Sequence, residues 1–232
     1  MSLILNIEST TTACSVALAN DDVVLAEEES NDGYSHAENL AVFVEKVLQR
    51  HSVTTGDLEA IAVSRGPGSY TGLRIGVSLA KGLCYGAGKP LIAVDTLQQM
   101  CGHPLVAEAL KANETAWLCP MLDARRMEVY AAFYDEQFNE RRGAEAVVLD
   151  EDSFAKELVE RDVFFFGNGS DKFQSVVASG HAHFIRDVWP SAGQMAAFSA
   201  LAFQQEQFVD TAYFEPFYLK EFQGTTPKNK VQ

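Results

Sequence analysis

The chain has 232 residues and a formal net charge of −14, and 47% of its residues are hydrophobic. Such a length can form one large domain or two modest ones of about 100 residues each, and the hydrophobic fraction is ordinary for a globular protein. No apolar run reaches the roughly 18 residues of a membrane span, and the start, MSLILNIES, lacks the features of a secretory signal. We therefore expect a soluble, cytoplasmic protein with no membrane partner.

The acidic excess bears on nucleic-acid binding. Asp and Glu number 32 against 18 Lys and Arg, whereas direct binding to a phosphate backbone is usually driven by clustered basic side chains. The paired basic residues, Arg125 with Arg126 and Arg141 with Arg142, have acids close by in the sequence. We expect no direct RNA or DNA binding by the chain alone.

The first half of the chain is predicted to run in the order β-β-β-α-β-α-β, followed by a further helical stretch. Strand-like runs fall at residues 3–7, 13–19, 23–29, 59–64 and 91–94. A helix is predicted at 35–50, where Ser35 and Glu38 form a capping box. A glycine-rich helix lies between the last two strands, and a helical stretch from Asp95 is interrupted by Pro104.

The second half repeats this order of elements without repeating the residues. Strand-like runs fall at 117–122, 128–134, 146–150, 162–167 and 181–185, and helices at 151–161, 171–179 and 191–207. Long alternations of strands and helices imply mixed sheets covered by helices. We therefore predict an α/β protein of two tandem lobes, 1–106 and 107–223, facing across a cleft, with a polar, disordered tail at 224–232. The repeated order is that of the actin-like (ASKHA, ribonuclease H-like) superfamily, in which the first hairpin of each half grips phosphates.

The segment RGPGSYTGLRIG opens the glycine-rich helix and does not match a nucleotide-binding motif. Gly72 is not followed by the Lys and Ser or Thr of a P-loop, and Gly66, Gly68 and Gly72 miss the G-x-G-x-x-G spacing. Gly72, Gly76 and Ala80 instead recur every fourth residue, so small side chains form a strip along one side of the helix. Such a strip lets another helix approach closely. The spacing leaves open whether that helix belongs to this chain or to a partner.

Three turns contain candidate ligand-binding residues. Glu8 and Asp123 could hold Mg²⁺ between the two hairpins, because this ion prefers one or two carboxylates together with substrate phosphates. The alternative is that both residues cap turns and bond nearby amides. In FGNGSDK, the amides near Ser170 could bind an anion, or Ser170 or Asp171 could simply cap the next helix.

The cysteines and histidines show no spacing typical of a metal site. The four cysteines form no CxxC pair and lie in apolar neighbourhoods, which indicates reduced, buried thiols. No HxxxH or HExxH places two histidines on one helix face, and His181 and His183 lie on a predicted strand. A G-x-S-x-G elbow is absent as well, so nothing in the sequence indicates hydrolysis.

Five segments resemble the bacterial TsaB (YeaZ) family, and the resemblance covers nearly the whole chain. They are NIESTTTACSVAL (6–18), RGPGSYTGLRIGVSLAKGL (65–83), VDTL (94–97), LDARRMEVYAAFY (122–134) and FEPFYL (214–219). The resemblance implies the actin-like fold and a role in making N6-threonylcarbamoyladenosine (t6A) at adenosine 37 of tRNA. It also implies a TsaD-type transferase as partner, a TsaE-type ATPase as a further partner, and a pathway link to TsaC, which makes the threonylcarbamoyl-adenylate.

The resemblance further implies that this chain is the noncatalytic subunit. In TsaD, an HxxxH after the strand equivalent to 91–94 binds the catalytic metal, and these positions align with Thr96 and Met100 here. Neither side chain can replace imidazole as a metal ligand. We therefore expect no catalytic residues, no bound metal and no cofactor.

Partner binding in this family uses the helix at 35–50 and the glycine-rich helix, which also pair two copies of isolated members. The residues that we predict at this surface are Leu40, Phe43, Val47, Gly72, Gly76 and Ala80. Two other functions remain open at this point. One is an ATP-dependent small-molecule kinase that uses Glu8, Asp123 and Ser170, and the other is a purely homodimeric interaction protein.

Overall fold

Two five-stranded mixed sheets form the framework of the computed structural model, which describes residues 2–31 and 36–220 apart from the side chain of Glu160. The first sheet contains β1 (Leu3–Glu8), β2 (Cys14–Asn20), β3 (Val23–Ser30), β4 (Ala60–Gly66) and β5 (Leu91–Asp95). Its order is β3-β2-β1-β4-β5. The first three strands pair antiparallel, whereas β1, β4 and β5 pair parallel.

The second sheet repeats this arrangement. It contains β6 (Trp117–Asp123), β7 (Glu128–Tyr134), β8 (Glu140–Val148), β9 (Val163–Phe166) and β10 (Ala182–Ile185). Its order is β10-β9-β6-β7-β8. Strands β6, β7 and β8 pair antiparallel, whereas β6, β9 and β10 pair parallel. The predicted fold class, two tandem actin-like α/β lobes, is confirmed.

Seven α-helices cover the two sheets within the described residues. They are α1 (His36–Arg50), α2 (Tyr70–Ala87), α3 (Thr96–Met100), α4 (Pro104–Ala112), α5 (Ala155–Glu160), α6 (Ser170–Gln174) and α7 (Ala196–Gln204). Ser69 caps α2 by accepting a hydrogen bond from the amide of Gly72 (3.3 Å), and Gly88 ends the helix with a left-handed φ of 65°. None of these helices has the length and apolar character needed to cross a bilayer.

Helices that follow one sheet in sequence pack partly on the other lobe. The side chains of α3 and α4 join residues of the second sheet in one hydrophobic cluster, which includes Leu97, Met100, Leu118 and Phe166. In return, α7 covers the first sheet, and Met195, just before it, packs with Ile4 and Ile92. The division at residues 106 and 107 stays a prediction, and the two lobes share this apolar contact.

The element boundaries differ from the predictions at a few places. The strand predicted at 146–150 begins at Glu140, because the polar segment ERRGAE lies in β8 at the edge of its sheet, where side chains remain exposed. The helix predicted at 191–207 is shorter and follows a 3₁₀ turn, Gly193–Met195. Ser35, half of the predicted capping box, and the predicted tail at 224–232 lie outside the described residues.

Candidate functional site

The first hairpin turn, residues 9–12, packs onto the glycine-rich helix. Ser9 donates from its hydroxyl to the carbonyl oxygen of Gly72 (2.9 Å), and the amide of Ser69 donates to the carbonyl oxygen of Thr10 (2.7 Å). A Cβ at Gly72 would overlap with the Ser9 carbonyl oxygen, and a Cβ at Gly76 would overlap with the Ser9 hydroxyl. Ser9, Thr10 and the backbone around them are therefore buried under α2. The glycines are present because this turn approaches the helix axis so closely.

Glu8 ends β1 as a fully buried carboxylate. Its Oε1 accepts hydrogen bonds from the amide (2.6 Å) and the hydroxyl of Thr10. Its Oε2 accepts from the hydroxyl of Ser64 on β4 (2.5 Å) and from Nε2 of Gln99 on α3. Four donors thus satisfy the carboxylate and join β1, β4 and α3, as a buried charge requires.

Asp123 ends β6 in the second lobe and is exposed. Its Oδ1 accepts from the amide of Arg125 (2.6 Å) and from the ammonium of Lys172 (2.8 Å), while its own amide donates to Asn168 (2.8 Å). Within the described residues, no hydrogen bond or ion pair joins Asp123 to Glu8. Each carboxylate serves its own turn, which is the alternative that the sequence left open.

Ser170 begins α6, a helix of only five residues, and is buried. Its hydroxyl donates to the carbonyl oxygen of Gly167 (2.8 Å), so the side chain closes its own turn. Gly167 adopts a φ of 98°, and a Cβ there would lie 2.7 Å from Cε of Met100. The side chain of Met100 therefore fills the space between α3 and this turn.

Thr96 and Met100, at the positions where the resemblance places metal-binding histidines, are fully buried. Neither a hydroxyl nor a thioether supplies the imidazole nitrogen that the resemblance requires at these two positions. In the ranges that the structure covers, no group of three His, Cys, Asp or Glu side chains is arranged to hold a metal ion. The residues present do not fit the metal that the wider family implies. All four cysteines are free and buried, as predicted.

The structure corrects the predicted partner-binding residues. Leu40, Phe43 and Val47 of α1 and Ala80 of α2 are buried in the hydrophobic core of the first lobe. The small-residue strip at Gly72 and Gly76 is covered by the chain's own first turn. The physical reason is that the strip accommodates a close loop, Ser9 with Thr10, and not a helix of a partner. None of these six residues presents a side chain that a partner could reach.

A different face of the same two helices is exposed. On α2, Gly82 and Gly86 are exposed, and a Cβ at either position would meet no atom of the described residues within 4 Å. Tyr85 is 90% exposed, and Val42 on α1 is 45% exposed. Three half-buried residues of α2 lie beside them, namely Ile75, Leu79 and Leu83. The helices α1 and α2 contact each other. We call these seven residues the helix face.

The FEPFYL segment packs against the start of α2, a position that the sequence does not predict. The ring of Tyr218 lies 4.9 Å from that of Tyr70 at the start of α2, and the amide of Phe217 donates to the carbonyl oxygen of Arg65 (2.7 Å). Arg65 also forms a bidentate pair with Asp95 (2.8 and 2.7 Å), and this hydrogen bond raises the pKa of the guanidinium. No local pattern predicts the contacts of Phe217 and Tyr218, because more than a hundred positions separate each of them from its partner.

Together these features define a class: a two-lobed actin-like α/β protein whose first hairpin turn is packed under α2 and whose second hairpin turn holds an exposed Asp123 paired with Lys172. The chain belongs to the TsaB (YeaZ) family. A family model described as "TsaD: tRNA N6-adenosine threonylcarbamoyltransferase" matches residues 24–228, so TsaB and TsaD proteins share one wider family.

Curated relatives and a solved structure give the same assignment. "tRNA threonylcarbamoyladenosine biosynthesis protein TsaB" of Bacillus subtilis is 30% identical over 197 residues, which cover 82% of this chain and 78% of that protein. The protein of the same name in Escherichia coli is 39% identical over 136 residues, which cover 59% of this chain and 56% of that protein. A structure titled as an uncharacterized protein with similarity to peptidase YEAZ, from Pseudomonas aeruginosa, is 26% identical with a TM-score of 0.79, covering 95% of this chain and 100% of that chain.

Proposed function

We propose that this chain is a noncatalytic subunit that binds and activates a TsaD-type transferase in the formation of t6A at adenosine 37 of tRNA. The names of its curated relatives support the pathway. The observation that carries the subunit role is a contrast between two regions. The first hairpin turn and the turn at Ser170 are closed by the chain's own side chains, whereas the helix face is exposed among the residues that the structure describes.

The helix face has the properties of a partner-binding surface. Gly82 and Gly86 allow a second backbone to approach α2, and close approach increases dispersion contacts between helices. Tyr85 supplies the kind of large aromatic side chain that is enriched at the energetic centres of interfaces. Because the same family model describes the transferase, a TsaD-type partner has an equivalent pair of helices to place against this face. The same geometry would pair two copies of the chain when the partner is absent.

The kinase alternative has less support. It requires Glu8, Asp123 and Ser170 to contact one nucleotide together. Glu8 already accepts four hydrogen bonds inside the first lobe, and the Ser170 hydroxyl is bonded to Gly167. A TsaE-type ATPase and the adenylate made by a TsaC-type enzyme would supply the ATP-dependent steps in this proposal.

The test is reconstitution with a TsaD-type homologue from the same cell. We expect the two proteins to copurify, and t6A to form in a mixture with TsaE- and TsaC-type proteins only when this chain is present. Val42→Glu places a charge on the helix face and should weaken the complex about tenfold or more. Val159→Glu, on α5 at a position that is 72% exposed, is the matched control and should bind normally. Full transferase activity without this chain, or ATP turnover by this chain alone, would contradict the proposal.

A further inference from the structure

The chain between residues 209 and 220, which we call the strap, crosses the first lobe and ends on the second. It begins beside β5, where the amide of Val209 donates to the carbonyl oxygen of Leu91 (2.9 Å). It ends at Lys220, whose ammonium forms an ion pair with the carboxylate of Glu128 on β7. Between these points the strap follows α2. It therefore contacts both lobes and the helix that provides most of the helix face.

Two sets of contacts attach the strap to α2. In the middle of the helix, Nζ of Lys81 donates to the carbonyl oxygens of Ala212 and Phe214, at 3.0 Å each. At the first turn, the ring of Tyr70 lies against Tyr218, and the guanidinium of Arg74 lies 4.2 Å from the centre of the Tyr70 ring. Arg74 also bonds the side chain of Tyr218, and this bond raises the pKa of the guanidinium. The strap thus contacts α2 at two levels, at its first turn and at Lys81.

The loop before α2 is shaped to receive the strap. Gly66 has a φ of 111°, and a Cβ there would lie 2.7 Å from the carbonyl oxygen of Phe217. The neighbouring Arg65 accepts the amide of Phe217 at its carbonyl oxygen and places its guanidinium 5.8 Å from the Phe217 ring. A side chain at residue 66 would push the strap away, so this loop and the strap fit only with glycine at that position.

We propose that the strap is a positioning element of the partner-binding surface: it holds α2 in the orientation that the TsaD-type partner requires and couples that helix to the second lobe. The inference rests on the proposed function for the identity of the partner, and on the contacts above for the role of the strap. Glycine lowers helix propensity, and α2 contains four glycines between Gly72 and Gly86, so the helix depends on contacts from outside itself. By linkage, a partner that favours the positioned helix must stabilise the strap to the same degree.

Hydrogen exchange of the full chain tests this proposal. Tyr218→Ala removes the ring contact and the bond to Arg74, and the amides of α2 between Tyr70 and Lys81 should exchange about threefold to tenfold faster. Tyr213→Ala is the matched control, because its side chain is in the same segment but 85% exposed. It should leave exchange in α2 unchanged. Tyr218→Phe keeps the ring and should give a smaller increase, which serves if the alanine variant fails to fold.

The second measurement is partner affinity. Tyr218→Ala should weaken binding of the TsaD-type homologue about threefold to tenfold, and partner binding to the wild-type chain should slow exchange in the strap. Unchanged exchange in α2 overturns the proposal, as does faster exchange with unaltered affinity. If the wild-type chain does not bind the homologue, the proposed function fails, and exchange in the free variants then decides whether the strap holds α2.

Discussion

Gly76 faces Ser9: the Cα of Gly76 in α2 lies so close to the first hairpin turn that a Cβ there would overlap with the Ser9 hydroxyl. This contact joins two positions 67 residues apart and explains a glycine in the middle of a helix, where it lowers helix stability by about 1 kcal/mol relative to alanine. It also separates the two kinds of glycine in α2. Gly72 and Gly76 face the chain itself, whereas Gly82 and Gly86 face outward.

Leucine substitutions at Gly76 and Gly82 should have opposite effects. Gly76→Leu should lower the free energy of unfolding by about 1–3 kcal/mol, because the added carbons overlap with a buried turn. Gly82→Leu should leave stability unchanged or raise it by up to about 1 kcal/mol, because leucine is a better helix former. The same variant should weaken the complex with the TsaD-type partner. Thermal unfolding and partner affinity, measured on both variants, check this pair, and an unchanged free energy of unfolding in Gly76→Leu would contradict the contact with Ser9.

Glu8→Gln should destabilise the first lobe. The amide has one acceptor oxygen in place of two, so donors from Thr10, Ser64 or Gln99 lose their partner, at about 1–3 kcal/mol for each unsatisfied buried donor. Asp123→Asn is the control, and we expect less than about 1 kcal/mol, because that carboxylate is exposed and pairs with Lys172. Urea unfolding of both variants measures the difference. Equal stability of the two variants would count against a structural role for Glu8.

The buried thiols should make stability fall at alkaline pH. Burial raises the pKa of Cys14 to about 11 and that of Cys84 to about 12, from 9.0. A pKa raised in the folded state means that stability is fully present below the unfolded pKa. It is then lost as the pH rises from about 9 through the folded values, since the unfolded chain releases protons first. Urea unfolding between pH 7 and 11 should show this slope, and Cys84→Ala should reduce it; an identical slope in that variant would be inconsistent with this origin.

The chain alone should not bind tRNA at physiological salt. Its net charge is −14, and binding to a phosphate backbone depends on releasing counterions with clustered Lys and Arg. A mobility-shift titration should show no complex at micromolar protein, while addition of the TsaD-type partner should produce one. Micromolar binding by the isolated chain that survives about 150 mM salt would refute the expectation.

Transition metals should not copurify with the chain in stoichiometric amounts. Thr96 and Met100 are buried where the resemblance places histidine ligands. Two histidines that are close together, His181 and His183, instead pair with Asp162: Nδ1 of His181 lies 2.9 Å and Nε2 of His183 lies 3.0 Å from its Oδ1. Metal analysis after extensive dialysis against a chelator checks this point. The Thr96→His, Met100→His variant is a useful comparison, because gain of metal there would show that only the two histidine ligands are missing at this position. About one zinc or iron ion per wild-type chain would contradict the expectation.

The sequence by itself determined the order of elements and the class of fold. Apolar strands such as β1 and β4 have continuous hydrophobic runs because both faces of their sheet are covered, and α1 and α2 have helical periodicity. These are local patterns of two to four residues, so they can be identified without knowing where the chain folds back. The polar edge strand β8 is longer than the strand predicted from the sequence, because an exposed edge strand has no hydrophobic pattern to mark where it begins.

Only the tertiary structure decided which face of α2 is covered. Helical periodicity sorts residues into faces, and it correctly grouped Gly72, Gly76 and Ala80 on one side. It contains no information on whether a loop of the same chain or a partner occupies that side. That choice depends on the hairpin turn at Ser9, which approaches α2 only when β1 and β4 pair and bring the two segments together. The contact is long-range, and its energy appears only once the sheet has formed.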